Sequence, residues 1–434
     1  MHERLWTRGF VGLAITQFLG AANDNILKFI LTMMVVQQGI WEGRLAWGGT
    51  DDGASGGAQG VIFLLFVVPF ILLSALAGTV NDRMSKSRVA LLVKIAEVPI
   101  ATLAGIGFWT QNLWLTLGAL LLLTTQSTFF GPAKYGMIPE LVGSEKLSKA
   151  NGLISMMTNI AVIVGNLLGA WVSVRYCVIN EDGPQIVDGW MPLVALVSVA
   201  VLGVFAAMLL PKLQAGDKGA AIEWNPFATY YKACVEMNEG PLLLVVIAWA
   251  FFYLFAGLAL LIIPEYKAVL GVDDQQISYI MAGLGIAIGI GSTAAGFVSG
   301  NRIEPRLVPV GAAGLCVGFA LLGLVQPSLV NVMAFIGSAG FFAGFYLIPL
   351  QALVQQLAPP DERGRFIATS HALSNVFLAA ASVLYIVISG WFSEQPYRIF
   401  LVAALLLAVG SGVLLFGMRG LVWLKASREA EEAD

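Results

Sequence analysis

Apolar runs of about 20 residues, separated by short polar stretches, recur along the whole chain. As helices rising about 1.5 Å per residue, each is long enough to cross roughly 30 Å of hydrocarbon. Twelve spans are predicted, at residues 9–36, 60–80, 89–110, 112–133, 150–173, 190–210, 241–263, 276–299, 307–325, 330–356, 366–390 and 397–418. The alternation over roughly 10 residues that marks a membrane barrel is absent, so the fold class is an all-α integral membrane protein. The longest polar interruption, Pro211 to Gly240, follows the sixth span. It divides the chain into a six-helix bundle at 1–210, a linker at 211–240, a second six-helix bundle at 241–420 and a tail at 421–434.

Two further patterns refine this plan. Eighteen loop Lys and Arg residues lie on the side that holds the N-terminus, against Arg44, Arg175, Lys267 and Arg398 on the other. That bias places both termini in the cytoplasm. At an offset of 218 residues, Gly78–Arg88 (GTVNDRMSKSR) falls on Gly296–Arg306 (GFVSGNRIEPR), and Lys149–Gly152 falls on Ile367–Ser370. The expectation is two parallel six-helix pseudo-repeats, a plan in which transporters bind substrate at the repeat interface near the bilayer midplane.

Composition agrees. Of 434 residues, 58% are hydrophobic and 12% charged, with a mean hydropathy of +0.81, more apolar surface than a soluble fold could hide. A net charge of −3 without a dense basic block implies no nucleic-acid partner. Cys177, Cys234 and Cys316 lie in separate segments with no metal-ligand spacing, and no cofactor is expected. A phosphate-binding G-x-x-x-x-G-K-[ST] loop is missing. So is the H-x-x-x-x-D pattern of acyltransferases, since Val376 follows His371 and Thr7 follows His2 at that spacing. The chain therefore reads as a non-enzyme.

The first span carries Asn23, Asp24, Asn25 and, one turn on, Lys28. A carboxylate at that depth costs roughly 2.5–3.5 kcal/mol on insertion scales and faces a bundle interior or wet cavity. Two readings are open: Asp24 and Lys28 neutralise each other in a packed bundle, or they handle substrate or an ion. Span three adds Lys94, which could snorkel to the cytoplasm, and Glu97, three residues on and on the same face. Span four adds the polar run Thr124–Thr128, with Gln126 in its middle, and then Lys134 at its inner end. Lys134 is either an interfacial lysine or a partner for phosphate. Asn159 and Asn166 share a face of span five as helix glue or cavity lining, and His371 is a packing residue or a proton carrier. Spans seven to ten carry no ionisable Asp, Glu, Lys, Arg or His. One charged and one apolar half-bundle suit a substrate with a polar head and a greasy tail, the second half sheltering the tail.

Gly78-x-x-x-Asp82-Arg83-x-x-Lys86, between spans two and three, resembles the signature loop of the major facilitator superfamily, G-x-x-x-D-R-x-x-[RK]. Gly78 allows close helix approach; Asp82, Arg83 and Lys86 would form the gating latch of the cytoplasmic face. The second copy has Gly300 in place of the aspartate. Asn23-Asp24-Asn25, Gly131–Gly136 (GPAKYG) at the end of span four, Lys149–Gly152 (KANG), Pro349–Gln355 and Arg363–Ala368 are similar to the lysophospholipid transporter branch of that superfamily, including its members fused to acyltransferase domains. One departure is that Tyr253–Ile263 has no basic residue where some free-standing members carry an arginine. The resemblance implies alternating-access transport of lysophospholipid across a bacterial inner membrane, with membrane lipids and a cytoplasmic acyltransferase as partners. Asn23, Asp24, Asn25, Lys28, Glu97, Gln126 and Lys134 would meet the head group. The alternative is a permease or efflux pump for another amphiphilic or hydrophobic solute.

Overall fold

The computed structural model describes residues 5–34, 41, 54–180, 183–214, 225–272, 274–392 and 394–420. Arg4, Arg44, Lys218, Lys425 and Arg428, used above for orientation, and the tail from 421 lie outside them. The twelve expected spans are helices α1 (Arg8–Thr32), α2 (Ala54–Arg83), α3 (Lys86–Trp109), α4 (Leu113–Val142), α5 (Leu147–Tyr176), α6 (Met191–Ala207), α8 (Leu242–Ile262), α10 (Asp274–Val298), α11 (Leu307–Leu324), α12 (Leu329–Leu357), α13 (Arg363–Ser389) and α14 (Ile399–Gly417). Nine of them among the described residues are long and apolar enough to cross a membrane by length and composition; α6 is apolar but shorter. Two smaller helices intervene: α7 (Pro226–Met237) inside the stretch read as linker, and α9 (Tyr266–Leu270). A short antiparallel pair, β1 (Cys177–Asn180) and β2 (Gly183–Ile186), joins α5 to α6.

Helix ends follow local chemistry. Thr7 caps α1, its hydroxyl accepting from the Phe10 N–H at 3.2 Å. The helix α4 runs nine residues past the expected end of span four and stops at Gly143, whose φ of +75° suits only glycine at no steric cost. Lys134 is therefore inside α4, not at its end. The two signature loops also differ for a backbone reason. Asp82 is still helical in α2, whereas α10 ends at Val298 and its counterpart Gly300 turns left-handed at φ +64°.

The chain divides into two compact units, one of Trp6–Met137 with Ile160–Pro226, the other of Met1–Leu5, Ile138–Asn159 and Phe227–Asp434. In the first, α6 packs on α1 and α3. One end of its core is aromatic: Trp41 stacks on Phe108 (centroids 6.0 Å apart), Tyr176 meets Phe108 edge-on, and the Tyr176 hydroxyl donates to the Phe108 carbonyl at 2.7 Å.

In the second unit α12 lies against α8, α10 and α11. The α10–α12 crossing is so close that a Cβ on Gly291 would strike the Phe341 backbone and one on Gly344 the backbone of Gly291 and Ser292. Without a hydrophobic drive between helices in lipid, such small-residue contact supplies the packing. Gly291→Ala and Gly344→Ala should each cost about 1–3 kcal/mol and lower the melting temperature of detergent-purified protein. Gly337→Ala on the same α12 meets nothing within 4 Å and should leave it unchanged. Equal melting of all three would contradict this packing. The start of α5 joins this unit through polar contacts. Asn151 and Gln355, both buried, exchange two hydrogen bonds of 2.8 and 3.0 Å, and Ser155 meets Ser292 at 3.0 Å.

Candidate functional site

The first unit brings a group of charged residues together on α1, α3 and α4. Glu97 is the hub: its Oε2 accepts from Lys94 Nζ at 2.5 Å and its Oε1 from Asn23 Nδ2 at 2.8 Å. Both ion-pair side chains are almost wholly buried, 3% and 1% exposed, so Lys94 does not snorkel. The slot that admits its ammonium depends on Gly20 of α1, where a Cβ would collide with Lys94 Nζ. The Lys94 amine also lies 5.3 Å from the centre of the Phe130 ring on α4.

Asp24 is half-buried beside this pair. Its Oδ2 accepts from Ser127 Oγ of α4 at 3.2 Å, and its Oδ1 has no hydrogen-bond partner. Glu97, Lys94 and Lys28 all act electrostatically on it. Asn25 bonds its amide nitrogen to the Ala21 carbonyl at 2.7 Å, leaving its oxygen as the group it can offer a ligand. Gln126, 8% exposed, donates to Ser127 Oγ at 3.2 Å. Lys134, nearly buried, sits 4.3 Å over the Tyr135 ring and within electrostatic reach of Lys94. Asn23, Asp24, Lys28, Lys94, Glu97, Gln126 and Lys134 are thus one connected constellation. It holds three lysine amines, two carboxyl groups and spare acceptors, and can engage both signs of a zwitterion.

The residues expected to gate lie at the α2–α3 turn. Asp82 and Lys86 are buried and Arg83 is half-buried. Asn81, which sequence reasoning passed over, ties α2 to α4 by donating to the Phe129 carbonyl at 3.1 Å. The Lys86 stem runs across Gly136, where a Cβ would lie 2.9 Å from its Cδ and Cε. The GPAKYG segment therefore meets the turn directly, two residues from Lys134. Ser87 accepts from the Leu213 N–H at 3.2 Å, fixing the chain that leaves α6.

Asn159 and His371 belong to the other unit. Asn159 bonds the Ser155 carbonyl and faces Gly289; His371 lies edge-on to Trp249 at 5.2 Å. No group of three or more His, Cys, Asp or Glu able to hold a metal occurs among the described residues.

A model described as Major Facilitator Superfamily matches residues 13–375 and again 244–433. The chain is 28% identical over 365 residues to the lysophospholipid transporter LplT of Serratia proteamaculans, covering 81% of each chain. It is 27% identical to LplT of Escherichia coli O1:K1 / APEC over 366 residues, 82% of each. Among solved structures, the human organic anion transporter MFSD10 aligns with a TM-score of 0.73 at 17% identity, over 92% of this chain and 98% of that one. FucP aligns at 0.72 and 12%, over 94% and 97%. At such identities the structural likeness speaks for the fold alone. With a family match across most of the sequence and twelve helices in the expected order, this is a multi-pass membrane protein and belongs to the major facilitator superfamily.

Proposed function

We propose that the chain is a secondary transporter that moves lysophospholipid across a bacterial inner membrane by alternating access. The observation that carries this reading is the constellation of opposite charges on α1, α3 and α4 within membrane helices, set beside relatives named lysophospholipid transporters. Counted by residue type, three lysines against two acids give it a formal surplus of one positive charge, which complements a phosphate. Lys28, one turn from Asp24, supplies donors to the phosphate, and Lys134, two turns beyond Ser127 on α4, meets the phosphate as it enters or leaves; Asp24 and the Asn25 oxygen supply acceptors to a head-group amine. Glu97 works through Lys94 and Asn23, which it holds in place. Gly78, Asp82, Arg83 and Lys86 form the gating latch on the cytoplasmic face, where both termini lie, and the two six-helix halves at 1–210 and 241–420 move about the 211–240 linker. Transport runs inward and supplies a cytoplasmic acyltransferase.

The test is uptake of head-group-labelled lysophosphatidylethanolamine by spheroplasts expressing the chain. Uptake above that of empty cells, suppressed by unlabelled lysolipid and not by a hydrophobic cationic drug, is expected. Uptake equal to empty cells, or drug resistance without lysolipid competition, would overturn the substrate and favour a permease for another amphiphile.

A further inference from the structure

Beside the charged constellation, on the other side of the α3–α4 contact, the first unit has an apolar groove of about 360 Å³. That is within the range of small-ligand sites, ~300–1,000 Å³. Val80 of α2, Met84 in the turn after it, Ala96 and Ile100 of α3, and Leu122 and Phe129 of α4 line it, together with Gln126. Leu92 and Leu122 on its walls are nearly half exposed, so the groove is open to its surroundings along the side of the helices.

Gln126 joins the groove to the charges, and its amide orientation follows from the network. Ser127 has one hydroxyl proton and gives it to Asp24, so towards Gln126 it can only accept. The Gln126 nitrogen must face Ser127, and Oε1 is turned away. That oxygen is buried and has no hydrogen-bond partner. A buried acceptor without a donor costs roughly 1–3 kcal/mol, so a donor on the ligand would be strongly selected.

We propose that the groove takes the acyl chain of the substrate and that Gln126 Oε1 accepts from the free glycerol hydroxyl, the group that separates a one-chain from a two-chain phospholipid. This rests on the lysophospholipid reading and deepens it. The order along the site is head group at Asp24 and Lys28, glycerol at Gln126, chain between α2, α3 and α4. It puts the chain in the first half of the protein, not in the uncharged second half as the distribution of charges suggested. A two-chain lipid presents an ester oxygen where the hydroxyl stood, acceptor against acceptor. Sites built around a substrate hydroxyl discriminate strongly against analogues lacking it.

The experiment is competition against labelled lysophosphatidylethanolamine uptake by two unlabelled lipids, lysophosphatidylethanolamine and its analogue with hydrogen in place of the glycerol hydroxyl. Wild type should prefer the hydroxyl compound at least tenfold. Gln126→Leu should bring the two within about threefold, and Gln126→Glu, which keeps an acceptor, should retain the preference. The ratio is read within each variant and does not depend on how much protein folds. In a companion arm, Ala96→Trp, which fills the groove, should weaken inhibition by a sixteen-carbon lysolipid more than by an eight-carbon one. Lysolipid uptake with an unchanged hydroxyl preference in Gln126→Leu would overturn the assignment of Gln126 alone. Loss of both chain lengths in equal measure would overturn the groove. No lysolipid uptake by wild type would overturn the underlying substrate reading as well.

Discussion

Glu97→Ala is expected to leave little folded protein in the membrane. Glu97 is the common partner of Lys94 and Asn23, and all three side chains are within 3% of complete burial. Removing one partner of a buried ion pair costs about 3–5 kcal/mol, because the remaining charge stays out of water without compensation. Against a total stability of roughly 5–15 kcal/mol, that is a large part of the whole. An exposed pair bears no comparison: Arg306 and Glu304, 3.9 Å apart with side chains 50% and 40% exposed, are worth about 0–1 kcal/mol. The double variant Lys94→Met/Glu97→Met removes both charges and conserves volume, leaving only the Asn23 amide without its acceptor. It should therefore melt much nearer wild type than Glu97→Ala does while transporting at least tenfold more slowly. Melting in detergent and uptake per folded molecule measure the two effects. A Glu97→Ala protein as stable as wild type would show that the pair does not hold α1, α3 and α4 together.

Asp24→Ala should behave in the opposite way, with transport falling at least tenfold and stability staying within about 1 kcal/mol of wild type. Asp24 is half-buried and makes one hydrogen bond, to a neutral hydroxyl, leaving Oδ1 unused. Losing that bond costs about 1.5–3 kcal/mol. Removing a carboxylate from the membrane interior returns roughly 2.5–3.5 kcal/mol on insertion scales. The two nearly cancel, and the attraction of Lys94 and Lys28 is opposed by the repulsion of Glu97, so the protein loses little by the substitution. A carboxylate that contributes so little to folding is explained by what it binds. A tenfold loss corresponds to about 1.4 kcal/mol of transition-state or substrate binding, within reach of one charge on a head group.

Hydropathy made the helices legible, because in lipid every backbone group must be satisfied within its own segment and the apolar run has little freedom to be anything else. It failed where polar residues are carried inside a helix. The stretch from Gly131 to Glu140 contains two prolines, a lysine and a glutamate and reads as a loop, yet α4 continues through it. Tertiary contact accounts for the difference: Gly136 gives room to the Lys86 stem at the start of α3. Helix α7 was hidden for another reason. Its buried positions Thr229, Ala233 and Met237 recur every four residues, a period that a reading by composition alone overlooks.

The site divides along the same line. Spacing placed Lys94 and Glu97 on one face of α3, and the depth of Asp24 marked it as costly. That Glu97 is closed by Asn23, 74 residues away, and Asp24 by Ser127, 103 residues away, depends on which helices pack together. The same holds for the tie from Asn81 to the Phe129 carbonyl of α4 and for the Asn151–Gln355 exchange, both long-range bonds of side-chain amides that spacing does not pair.

The most direct test of lysophospholipid handling by the charged constellation uses purified protein in liposomes. Entry of head-group-labelled lysophosphatidylethanolamine is compared for wild type and Asp24→Ala, with melting temperatures measured on the same preparations. Entry above that of protein-free liposomes, reduced at least tenfold in a variant that melts like wild type, is the predicted result. Equal entry for wild type and variant would remove Asp24 from the transport site, and entry no faster than in protein-free liposomes would contradict lysophospholipid as the substrate.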